Sequence, residues 1–165
     1  MPVQNNMPNL TTIQDAVIEI KRLIEDAIRN GGIDKNGNVL DGCDAKNNLI
    51  RTQGPICLIH DAVKSEFVRF GVNPDNICPP ITQHQGEMKV FGAVKAKDQD
   101  ICICPNNVVP TPQILTFDGI LRGKRDPYGL NYTERVLSVN VRSQLSSVSK
   151  NFDTLYERTF AEPLN

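Results

Sequence analysis

The sequence predicts a mixed α/β fold, with helices toward its two ends and a central sheet between them. Two patterns carry this expectation. Apolar residues recur at helical spacing over residues 13–28 and again over 56–70, whereas over 88–94 and 100–104 they alternate one by one. Size supplies the third observation, since 165 residues suit one domain with room for an apolar core. The expected organisation is a single domain over 1–165: a loose tail at 1–10, a helical region at 11–55 and the core at 56–165.

The first helix is the most explicit element. Thr12 is placed to cap it, and Asp15 sits in its first turn, where the helix dipole favours a negative charge. Ile13, Val17, Ile20, Ile24 and Ile28 then form one stripe, and Asn30-Gly31-Gly32 ends it. Asp34, Asn36 and Asn38 have the spacing of a calcium loop, but Val39 stands where glycine is needed and Ala45 where a bidentate Glu belongs. A solvated Asn-Gly turn is the expectation there. Leu58, Ile59, Ala62, Val63, Phe67 and Phe70 mark a further helix over 56–70, with Gly71 at its C-terminal cap.

Pro74, Pro79 and Pro80 keep the following stretch extended. Residues 88–94 and 100–104 alternate around the polar run 95–99, which reads as two adjoining strands or a hairpin with a polar turn. Residues 114–121 and 135–141 are further strand candidates, separated by a loop rich in Gly, Pro and charge. A last helix is expected from Leu145 to Glu162, stopped by Pro163.

Composition narrows the functional classes. Hydrophobic residues are 39% and charged residues 22%, which suits a folded domain rather than a disordered chain. A formal charge of −1 argues against a passive nucleic-acid coat. No apolar run reaches the ~20 residues of a bilayer span. Residues 1–10 lack the basic start of a secretory signal, so a cytoplasmic location is expected. The five cysteines are odd in number and irregularly spaced, which speaks against a disulfide framework. Cys102 and Cys104 alternate along a strand and should share a face as buried thiols.

The chemistry-bearing residues gather near the strands. Asp100 opens the apolar strand 100–104. On the segment 136–144, alternation puts Asn140, Arg142 and Gln144 on one face and Val139 and Val141 on the other. Side chains at i and i+2 can thus join an acid from a neighbouring strand. That is the arrangement phosphodiester hydrolysis needs: oxygen ligands converging on Mg²⁺, with a cation near the developing charge. Residues 138–151 are dense in hydrogen-bonding groups at a strand-to-helix junction, where helix N-terminal amides suit phosphate.

Over residues 56–162 this order resembles the PD-(D/E)XK nuclease superfamily, type II restriction endonucleases in particular. The resemblance implies a restriction-endonuclease-like core and Mg²⁺-dependent hydrolysis of double-stranded DNA. It also implies a homodimer, and a cognate DNA methyltransferase in the same system. Asp100 matches the first acid. Asn140 stands where the second acid belongs, and Arg142 where the family has lysine. Asn can ligate through its carbonyl oxygen, while Arg stabilises charge but cannot act as a base. Gln144 is the candidate to orient water or phosphate. Glu66 matches the place of an extra acidic ligand, and Glu87 and Asp118 are alternative carboxylates. Lys95, Lys97, Arg122, Lys124, Arg125 and Lys150 are candidate contacts to the DNA backbone. The core is expected to be C-terminally truncated, as no strand follows the last expected helix. The alternatives are a non-catalytic DNA-binding or assembly module on the same fold, and a structural assembly protein of phage type.

Overall fold

A computed structural model describes residues 10–81, 88–91, 96–116, 122–126 and 136–141. Three α-helices come first: α1 (Ile13–Asn30), α2 (Gly42–Arg51) and α3 (Gln53–Arg69), with the short ribbon β1 (Gly32–Ile33) and β2 (Val39–Leu40) between α1 and α2. The strands β3 (Ile77–Cys78), β4 (Met88–Phe91), β5 (Ala96–Gln99), β6 (Ile101–Ile103), β7 (Gln113–Ile114), β8 (Arg125–Asp126) and β9 (Leu137–Val139) follow. The chain is therefore a mixed α/β protein. Instead of one broad central sheet, the described strands form a three-stranded sheet, β3-β6-β9, and three two-stranded ribbons, and every pairing is antiparallel.

α1 begins as its sequence dictates. The Thr12 hydroxyl accepts the Asp15 amide at 3.0 Å, and the Asp15 carboxylate accepts the Thr12 amide at 3.2 Å, a reciprocal cap. It ends at Gly31, whose φ of 73° and close approach to the Leu40 carbonyl both exclude a side chain. The expected stripe is rotated, however. Ala16 is buried, whereas Ile13, Val17 and Ile28 are each about half exposed (48%, 50% and 49%). α1 packs on α2 and α3 along the Ala16 side, because the small alanine lets backbones approach. The loop at 34–38 is the expected turn: both Asp34 oxygens accept loop donors, the Asn36 and Asn38 amides on one and the Asn38 side chain on the other.

α3 ends where Gly71 takes a φ of 92° and its amide donates to the Val68 carbonyl. The three-stranded sheet lies beside it. Alternation along β6 serves two buried faces: Ile101 and Ile103 pack with Ile77, Val63, Phe67 and Val139, while Cys102 and Cys104 pack with Val90, Cys78 and Val136. Cys102 and Cys104 thus share a face, as expected. Ala96–Gln99 of the polar run preceding β6 form a strand, not a turn. β5 pairs with β4, with Lys89 directly opposite Asp98 and their charges 3.1 Å apart. Ladder hydrogen bonds form whatever the side chains are, so a strand needs no apolar alternation. The β9 strand falls inside the expected 135–141 segment. The expected helix 145–162 and most of the 114–121 strand lie outside the described residues.

Asn76 clasps the sheet to its connecting loop. Its side-chain amide donates to the carbonyls of Pro105 and Val108, both at 2.6 Å, and its own carbonyl accepts the Cys104 amide at 2.9 Å. Asn76 is buried, so Asn76→Ala would strand two carbonyls away from water. The expected loss is about 1–3 kcal/mol, read as a lowered urea midpoint with unchanged m-value.

Candidate functional site

The register of β6 and β9 determines which candidate residues meet. Ile101 pairs with Val139, which places Asp100 across from Asn140 just beyond the ladder. The Val141 amide donates to Asp100 Oδ2 at 2.5 Å, and Asn140 Oδ1 accepts the Asp100 amide at 3.5 Å. The two side chains then diverge. Asp100 is buried, its Oδ2 lying 3.8 Å from His60 Nε2 on α3. Asn140 is exposed and donates to Gln99 Oε1 at 2.9 Å. The structure thus joins Asp100 and Asn140 through backbone and amide contacts. Arg142 and Gln144, the other two members of the expected set, lie outside the described residues.

Glu66 is placed differently. At roughly 100° per residue it sits about 240° round α3 from His60, away from the face that meets Asp100. It pairs with Arg69 at 2.5 Å, and the Arg69 guanidinium also donates to the carbonyls of Leu10 and Thr11. Glu66 and Arg69 therefore strap the entry of α1 to the end of α3. Arg122, Lys124 and Arg125 are exposed around the β7–β8 turn, where Gly123 has a φ of 75°. The Leu115 backbone bonds to both Lys124 and Gly123, which ties this basic segment to the end of β7. Lys97 lies on β5, opposite Val90. Lys95, Lys150, Glu87 and Asp118 lie outside the described residues.

α3 carries four buried polar groups. His60, Asp61, Lys64 and Ser65 are all buried, and Lys64 and Ser65 are 0% exposed. Lys64 Nζ donates to Asp61 Oδ1 at 3.3 Å, and the Ser65 hydroxyl donates to the Asp61 carbonyl at 2.7 Å while accepting the Thr11 amide at 3.3 Å. Cys57 lies in the same environment. Burial pushes its thiol up; the Asp61 charge adds to that, Lys64 opposes it, and Asp100 adds a smaller push. One side of α3 therefore carries a polar group of Cys57, His60, Asp61 and Lys64 that meets Asp100 at His60. Sequence reasoning missed it, because the apolar stripe at Leu58, Ile59, Ala62 and Val63 drew the helix's inner face elsewhere. The available signal was the polar set at 57, 60, 61, 64 and 65, which itself recurs at helical spacing.

Around Asp100 stand its own carboxylate and the Asn140 amide carbonyl, a pair of oxygen donors, together with His60 Nε2 at 3.8 Å from Asp100 Oδ2. Mg²⁺ is commonly held by one or two carboxylates with water completing its octahedron, so this pair is of the right type. Among the described residues, no three His, Cys, Asp or Glu side chains are gathered as a metal-binding group. The sulfur groups are of another kind. Burial pushes Cys104 up to about 11, with the neighbouring Cys78 and Cys102 adding to the shift. A raised thiol pKa means that the folded state holds a proton the unfolded chain has already released. Stability from this group is therefore complete below about pH 9 and declines as pH rises toward about 11. Iodoacetamide should label Cys104 in native protein at pH 9 far more slowly than in urea-unfolded protein, and equal rates would refute the shift.

Among the described residues no helix is long and apolar enough to cross a membrane. No protein-family model matches the chain, and no curated protein or solved structure matches it.

Proposed function

We propose that this chain is a Mg²⁺-dependent endonuclease acting on double-stranded DNA, with the core of a type II restriction endonuclease. The observation that carries the reading is the β6–β9 register, which sets residues 100 and 140 opposite one another, with their side chains turned to different sides. These are the two positions the family resemblance nominates for ligands, and they are far apart in sequence. The Val141 amide holds Asp100 Oδ2 and so fixes the carboxylate's orientation before any ligand arrives.

In this reading Asp100 and the Asn140 carbonyl hold Mg²⁺, which when bound supplies a Lewis-acid charge against phosphoryl oxygens. Arg142 adds a permanent cation toward the charge that develops on phosphate. Gln144 orients water or backbone phosphate. The exposed Arg122, Lys124 and Arg125 at the β7–β8 turn meet the DNA backbone, joined by Lys95, Lys97 and Lys150. A homodimer suits the cutting of two strands related by a two-fold axis. A cognate methyltransferase is the partner expected of such a system.

The burial of Asp100 against His60 favours one other reading, a non-catalytic DNA-binding or assembly module that keeps the same core. Incubating the protein with plasmid DNA separates the two. Defined fragments with Mg²⁺, none with EDTA, and a rate on the order of 100-fold lower for Asp100→Asn support the nuclease. Salt-sensitive DNA binding with no cleavage supports the module, and neither binding nor cleavage would defeat both.

A further inference from the structure

The Cys-lined face of the three-stranded sheet holds a pair of thiols that the proposed nuclease chemistry does not use. Cys78 on β3 and Cys102 on β6 are directly opposed in the antiparallel register. The Cys104 amide donates to the Asn76 carbonyl, the ladder bond that flanks 77 and 103; these two are thus a non-hydrogen-bonded pair, and 78 and 102, one residue along, a hydrogen-bonded one. Such pairs have Cα atoms about 5.5 Å apart. That lies inside the window of about 4.4–6.8 Å that a disulfide requires. Both side chains lie on one face, in the cluster that includes Cys104 and Val90.

Other pairings within this cluster are disfavoured by distance. Cys104 is diagonal to Cys78, at a spacing of about 7–8 Å between backbones. Cys102 and Cys104 are neighbours along one strand, where a rise of about 3.4 Å per residue also separates them by nearly 7 Å. Access is asymmetric as well. Cys78 is only partly buried, whereas Cys102 and Cys104 are 0% and 1% exposed. An oxidant from solvent therefore meets Cys78 first and finds Cys102 next to it.

We propose that Cys78 and Cys102 form a reversible, peroxide-driven disulfide that staples β3 to β6. The thiolate of Cys78 attacks a hydroperoxide oxygen and breaks the O–O bond, giving a sulfenic acid and releasing an alcohol once the departing alkoxide takes up a proton. The Cys102 sulfur then attacks the sulfenyl sulfur. The S–S bond forms, the S–O bond breaks, and hydroxide leaves as water with the Cys102 thiol proton. Two thiols lose two electrons and the hydroperoxide gains them. The bridge joins β3 to the strand that Asp100 opens, so oxidation fixes the sheet on which Asp100 stands. Attack by an external thiolate on either sulfur, followed by a second thiol, reopens the bridge by thiol–disulfide exchange.

The test is peptide mapping of the full chain after exposure to tert-butyl hydroperoxide, trapping of remaining thiols with N-ethylmaleimide, and digestion without reductant. Linked peptides containing Cys78 and Cys102 are expected in the wild type and in Cys104→Ser. They should vanish on adding dithiothreitol and be absent from Cys78→Ser. The exposed Cys43 serves as the internal measure of peroxide dose. The proposal is overturned if Cys78 remains a thiol when Cys43 is oxidised, if it proceeds to sulfinic acid unlinked, or if it links to another cysteine. The wild-type map alone decides the matter should a variant fail to fold, and its outcome does not depend on DNA cleavage.

Discussion

Asp61→Ala should cost about 3–5 kcal/mol of folding stability, the penalty for leaving a buried charge without its counter-ion. Lys64 is 0% exposed, and its ammonium donates to Asp61 Oδ1 at 3.3 Å. Removing the carboxylate leaves that ammonium inside α3's packed face. Urea denaturation followed by circular dichroism would report the loss. Adding Lys64→Met to Asp61→Ala should recover most of it, because a buried ion pair replaced by apolar groups of similar volume is often neutral or better. A single mutant within about 1 kcal/mol of wild type would show that the pair carries little.

Ile101→Ala ranks next, at about 2–5 kcal/mol. Ile101 is 0% exposed on the central strand, where it packs with Ile77 and Ile103 while Val63, Phe67, Val68 and Val139 close around them. Deleting its side chain leaves a cavity between the sheet and α3 that neither element can close without breaking β6's pairings on both sides. Leu137→Ala is the contrasting control. Leu137 lies on β9 yet is 53% exposed, so its loss should fall within about 1 kcal/mol. If the two mutants lower the unfolding midpoint equally, the sheet's buried face has been misassigned.

These two residues also show why the sequence was readable in some places and opaque in others. Ile101 stands in a plain alternation with Cys102, Ile103 and Cys104, and such a strand declares its two faces directly. Asp61 stands next to Ala62 and Val63 on a helix whose apolar positions suggest a different inner side. Its place in the periodic polar set at 57, 60, 61, 64 and 65 does not say whether that face is buried; among the described residues, Asp100 beside β6 and Thr11 before α1 approach it. Phe70, expected within the apolar stripe, is 84% exposed because α3 ends there and the chain turns at Gly71.

The boundary between the two kinds of information is physical. Thr12 and Asp15 at the start of α1, Gly31 and Gly71 at helix ends, and the Asn-Gly turn after Asp34 act over a few residues, through their own φ angles and nearest hydrogen bonds. The sequence alone therefore determined them. The partners of β6, the burial of Lys64 and the meeting of Asp100 with Asn140 depend on contacts across roughly 25 to 55 residues of chain. Their energy comes from shared burial and from hydrogen bonds that exist only after folding, so only the tertiary structure decided them.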